Sequence, residues 1–136
     1  MLDRLLDPTV SMQILAAAIL AICFLQSGVD KLVDFKGNLG WLQGHFAKTP
    51  LRGQVLPMLA VVTALECLAG ALCAAGAVQL AVSGEKVLAL RGVQLAALNI
   101  VMLFFGQRIA KDYAGAATLA TYFVLTGIAF MLLRLA

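Results

Sequence analysis

The sequence predicts an all-α polytopic membrane protein, an antiparallel four-transmembrane-helix bundle with a short interfacial helical connection between the first two spans, forming one domain over 1–136. Three observations predict it. Hydrophobic residues make up 62% of the 136 and charged residues 12%, with a mean hydropathy of +0.98, outside the balance of a soluble globular domain. Four apolar runs, at 10–29, 55–82, 87–105 and 114–133, each reach the about 20 residues that one helical crossing needs, the second with residues to spare. These runs are continuous rather than alternating, so a barrel is excluded, and an open sheet would leave backbone groups unpaired in lipid. Four crossings leave no room for a separate water-soluble catalytic domain. The ten Lys and Arg are scattered, so nucleic acid is not an expected partner, and the net charge of +3 is ordinary for a protein in contact with a lipid bilayer.

The first run follows Asp3, Arg4, Asp7 and Pro8, and its length and acidic flank read as a retained helix rather than a cleaved leader. The 30–54 connection mixes Leu32, Phe35, Trp41, Leu42 and Phe46 with Lys31, Asp34, Lys36 and Lys48, a composition suited to the headgroup layer. Short amphipathic helices broken at Gly37, Gly40 and Gly44 are expected there. The second run opens with Pro57 in its first turn, where the missing N–H costs nothing. The polar turn 83–86 leads to the third run, and 106–113 leads to the fourth. Small residues, Gly70, Ala71, Ala74, Ala75 and Gly76 in the second span and Ala114, Gly115, Ala116 and Ala117 in the fourth, predict close helix approach.

An antiparallel order brings the ends of spans one and three to the same side as the starts of spans two and four. Asp30, Lys31, Glu66, Arg108, Lys111 and Asp112 are then expected to gather on that side, with Gln26 one turn from Asp30 on the same face. Glu66 is the sharpest signal. It lies roughly 16 to 18 Å into its helix at 1.5 Å per residue, near mid-membrane. A carboxylate there costs at least a few kcal/mol unless it is protonated, paired or hydrogen-bonded, so it must face the bundle interior. Asn99 stands at similar depth and is its expected partner. Thr118, Tyr122 and Thr126, four residues apart, either extend this polar column or bond their own helix backbone. The column itself has two readings. It is either a packing device that selects one helix arrangement, or a site for the polar head of a lipophilic ligand or for protons. Arg91 is expected to snorkel to the headgroups beside Glu85 and Lys86.

Chemistry of other kinds has little footing. His45 is the one histidine and falls in the connection, so neither a haem ligand pair nor a conventional metal site is expected. Cys23, Cys67 and Cys73 form no C-x-x-C pair and lie in apolar runs, where a thiol packs as a small hydrophobe. No phosphate loop, dinucleotide fingerprint or nucleophile triad is present. No intrinsic cofactor is expected, and activity of the chain's own is not favoured. Six cations, Lys31, Lys36, Lys48, Arg52, Arg108 and Lys111, against Arg4, Lys86, Arg91 and Arg134, lean towards a cytoplasmic loop side.

The segments Phe24-Leu25-Gln26-Ser27-Gly28-Val29-Asp30-Lys31-Leu32, Glu66-Cys67-Leu68-Ala69-Gly70-Ala71-Leu72 and Gln107-Arg108-Ile109-Ala110-Lys111-Asp112-Tyr113-Ala114-Gly115-Ala116-Ala117 resemble the DoxX family of small bacterial membrane proteins. The resemblance covers nearly the whole chain. It implies a four-helix protein of the bacterial inner membrane, with Lys31, Glu66, Arg108 and Asp112 at family-pattern positions. It also implies an accessory subunit of a quinone-linked or thiol and oxidative-stress redox complex, with quinone or lipid as ligand and other membrane subunits or further copies as partners. A purely structural assembly protein, and a four-helix binder of a lipophilic small molecule, are the alternatives.

Overall fold

The computed structural model describes residues 1–135, and among them every regular element is a helix. The elements are α1 (Leu2–Leu6), α2 (Pro8–Val33), α3 (Phe35–His45), α4 (Val55–Ser83), α5 (Val87–Ile109) and α6 (Tyr113–Leu133). Four of them, α2, α4, α5 and α6, are long and apolar enough to cross a membrane. The fold class read from the sequence is therefore the fold observed, and the chain is a multi-pass membrane protein.

Local chemistry sets the helix ends. Asp7 caps α2, its carboxylate accepting from the backbone N–H of Thr9 at 2.9 Å and of Val10 at 3.0 Å, and Pro8 takes the first helical position. Gly84 ends α4 in the left-handed conformation at φ 77°, which glycine adopts without a Cβ penalty. Asp112 caps α6 by accepting from the Gly115 N–H at 3.0 Å.

Two expectations about the ends change. The first and third crossings extend past the sequence boundaries of 10–29 and 87–105, because the polar residues at their ends still form helical turns. The 30–54 connection contains one unbroken helix, α3, which runs through Gly37, Gly40 and Gly44 rather than breaking there. Asp34 caps its start by accepting from the Gly37 N–H at 3.2 Å, which offsets part of the helix cost of the three glycines. The short α1 before Asp7 was not foreseen.

In the bundle α4 packs between α2 and α5, α6 lies on α5, and the seam between α6 and α2 is the loosest. Ala17, Leu20, Ala69, Cys73, Leu80, Ala89, Ala96 and Ala129 form a fully buried core. Large apolar side chains such as Ile22, Leu68, Val78, Leu98, Phe105 and Met131 point outward, as expected of helices solvated by acyl chains. Glycine allows close backbone approach at several points of the bundle, two of which set the register. A Cβ on Gly28 would stand 2.6 Å from Cys67 Sγ, and one on Gly92 would stand 2.7 Å from the Cys73 backbone nitrogen. These contacts put Gly28 level with Cys67 and Cys73 level with Gly92, which fixes the register of α2 and α5 against α4. The small residues of α6 serve differently: Ala116 is buried, but Ala114 and Ala117 are exposed.

The side opposite α3 is closed by polar caps on helix C-termini. Arg4 donates to the Val82 carbonyl at 2.7 Å, Gln13 donates to Leu132 at 2.8 Å and Leu135 at 3.2 Å, and Lys86 also reaches the Leu135 carbonyl. Cationic and amide donors there satisfy carbonyls that a helix end leaves without partners, and they complement its negative pole.

Candidate functional site

The register that Gly28 and Gly92 impose carries Glu66 and its neighbours to one level. Counting back from Cys67 and Cys73 along α4 sets Glu66 opposite the end of α2 and opposite Asn99 of α5. Glu66 is 2% exposed and Asn99 fully buried. Lys31 Nζ stands 3.0 Å from Glu66 Oε2, and it also donates to Ser27 Oγ at 2.9 Å. Asn99 Nδ2 donates a long hydrogen bond of 3.5 Å to Glu66 Oε1. The carboxylate is thus compensated from α2 and α5, which meets the requirement that a charge at this depth be paired.

That compensation is incomplete. The Lys31 ammonium is close enough for an ion pair, yet Glu66 Oε2 accepts no well-directed hydrogen bond, and Asn99 Oδ1 accepts none either. Buried acceptors without donors are uncommon and costly, so the pair retains capacity for a further donor.

A cavity of about 330 Å³ adjoins Glu66 on the loose α2–α6 seam. Gln26, Ser27 and Asp30 line it from α2 and Tyr122 from α6, with Cys23, Ile100, Leu103 and Leu119 supplying apolar wall. Gln26, Asp30 and Tyr122 are themselves exposed at the outer face, so the cavity opens sideways towards the acyl chains. A second, larger and nearly apolar cavity of about 690 Å³ lies under α3, with Lys31, Phe46, Met58, Val62 and Met102 among its walls. Leu103 and Leu119 border both spaces, and the Lys31–Glu66 pair stands between them.

Six residues singled out from the sequence therefore meet here: Glu66, Asn99, Lys31, Gln26, Asp30 and Tyr122. Two do not. Arg108 is exposed and lies over the Tyr113 ring, 4.7 Å from its centre. Asp112 is used as the α6 cap, with its other oxygen 3.8 Å from His45 Nε2. Lys111 is exposed in a left-handed turn at φ 61°. The expected gathering of six ionisable groups from all four helices is thus corrected. Arg108 and Asp112 have partners near their own helix ends, and of the six only Lys31 pairs with Glu66. Thr118 and Thr126 donate to the backbone oxygens of Ala114 at 3.2 Å and Tyr122 at 2.8 Å, and of that stripe only Tyr122 lines this cavity. Arg91 donates to Gln94 Oε1 at 2.9 Å and is exposed near the start of α5.

Sequence reasoning placed His45 in the connection and gave it no partner. Its Nε2 lies 2.8 Å from Gln107 Oε1, and its ring stacks on Trp41 with centres 4.8 Å apart. Four residues separate Trp41 from His45, the one signal that these rings share a helical face. Gln13, buried at 1% exposure, was also passed over. Among the described residues no three His, Cys, Asp or Glu side chains converge on one point, and the three cysteines are free.

Fold and site together define a four-span membrane protein with an intramembrane ion pair beside a laterally open cavity. Searches of family models, curated proteins and solved structures found no match to this chain.

Proposed function

We propose that this chain is a DoxX-like subunit of a bacterial inner membrane, accessory to a redox complex, and that it holds the polar head of a lipophilic ligand, a quinone or a lipid, against Glu66. One observation carries this reading. A buried carboxylate, paired with Lys31, forms part of the wall of a cavity of about 330 Å³ that opens towards lipid. In the proposal, Lys31 and Asn99 hold the carboxylate in place, Tyr122 and Gln26 frame the mouth, and the apolar space under α3 accommodates hydrophobic bulk. Ligand pockets are commonly apolar with a few converging polar groups, which suits this composition. Redox chemistry would come from a partner subunit or from the ligand.

The test is gentle extraction of the whole chain followed by mass spectrometry of every lipid, quinone and protein that travels with it. The expected result is a lipophilic molecule with a polar head, retained by the native chain and lost on Glu66→Gln while helix content is unchanged. Isolation of a lone chain with no such molecule would count against the reading. The Lys31–Glu66–Asn99 set also links three helices, which favours a second reading as an assembly protein with a structural polar core. Under that reading Glu66→Gln lowers the yield of folded protein and changes nothing bound.

A further inference from the structure

Far from Glu66, a groove of about 590 Å³ runs along the outer seam of α5 and α6. Its walls are apolar through Val87, Leu90, Ala97, Phe123 and Phe130, and its upper end carries two arginines, Arg91 and Arg134. Both are exposed, and no acidic residue lines the groove. Among the described residues neither arginine lies within ion-pair distance of a carboxylate. Gln94 accepts from Arg91 Nη1 at 2.9 Å, and both residues line the groove. Gly127 leaves the floor open, since a Cβ there would meet nothing within 4 Å.

The dimensions match one leaflet. From Arg134 to Phe123 is about 16 Å of helix at 1.5 Å per residue, close to half of the roughly 30 Å hydrocarbon thickness. Phe123 stands midway along α6, and Arg134 caps its end, so the cationic end lies at headgroup depth and the apolar end at the bilayer centre. We propose that this groove binds one anionic phospholipid of the leaflet opposite α3, with an acyl chain against Gly127 and Phe123 and the phosphate between Arg91 and Arg134. Two guanidiniums grip phosphate through charge-assisted hydrogen bonds, and basic pockets between membrane helices select anionic headgroups. This site is independent of the Glu66 cavity.

The experiment titrates the full chain in detergent micelles with phosphatidylglycerol or with phosphatidylcholine of identical chains, counting bound lipid by native mass spectrometry. Preferential retention of one phosphatidylglycerol is expected. It should weaken about fivefold per arginine in Arg91→Gln and Arg134→Gln. It should persist in Lys48→Gln with Arg52→Gln, whose cations lie on the other side. Gly127→Leu fills the floor without altering charge and is expected to abolish retention while helix content holds. Equal retention of both lipids, an unchanged preference in the arginine variants, or full retention in Gly127→Leu would overturn the proposal. Displacement by an equal concentration of inorganic phosphate would overturn it too, because the groove would then contribute nothing.

Discussion

Lys31 and Glu66 close an ion pair of 3.0 Å between α2 and α4, and the two partners are unequally buried, at 19% and 2% side-chain exposure. That inequality decides how the pair responds to substitution. Lys31→Met strands a carboxylate with little access to water, and we expect a loss of about 3–5 kcal/mol in folding stability. Glu66→Gln keeps the Asn99 contact, and the ammonium retains Ser27, so a loss nearer 1 kcal/mol is expected. The double variant should recover most of the Lys31→Met loss. Unfolding in mixed micelles with increasing dodecyl sulfate measures all three, and equal losses for the two single variants would contradict the asymmetry.

Close backbone approach at Gly92 makes a second prediction. In Gly92→Ala the new methyl would stand 2.7 Å from both the Cys73 backbone nitrogen and its sulfur, so α5 must move off α4. A loss of about 1–3 kcal/mol is expected. Gly127→Ala, which meets open space, should be neutral or stabilising by up to about 1 kcal/mol through helix propensity. The same unfolding assay compares them.

The spans and the depth of Glu66 were legible because hydropathy and helical rise act along one axis, and one axis is what a sequence displays. Asn99 could be named as a partner for the same reason: antiparallel counting sets its height. What was illegible is rotation about each helix axis and the local alternatives at helix ends. Asp112 could cap its own helix and Arg108 could lie over Tyr113, so neither needed Glu66, whereas a carboxylate at mid-membrane had to find a tertiary partner. Gln13 escaped notice because it lies near the start of its span, away from the ionisable residues that singled out Gln26 and Asn99. Its value comes only from the α6 carbonyls that folding brings to it.

His45 anchors α3, which has no buried residue of its own. Its ring is held by Gln107, Asp112 and Trp41, while the neighbouring Phe46 packs beneath it. His45→Ala removes one hydrogen bond and one ring stack, together worth about 2 kcal/mol. Hydrogen exchange of the α3 amides should accelerate by on the order of tenfold or more, with α4 and α5 unchanged. Unchanged protection of α3 would show that Phe46 alone docks it.

Native cysteines report on the Glu66 cavity without an introduced label. Cys23 forms part of its wall, whereas Cys73 is fully buried between α4 and α5. A membrane-permeant maleimide should therefore modify Cys23 well before Cys73, because access controls which thiol meets the reagent. Decanol, a hydroxyl head on an apolar chain, can occupy the cavity and donate to the carboxylate that lines it. It should slow Cys23 modification and leave Cys67 and Cys73 unaffected. Decane, with the same chain and no donor, should protect less, and Glu66→Gln should narrow the difference between the two. If decanol and decane protect Cys23 equally in the native chain, the carboxylate takes no part in recognition and the cavity is only an apolar void.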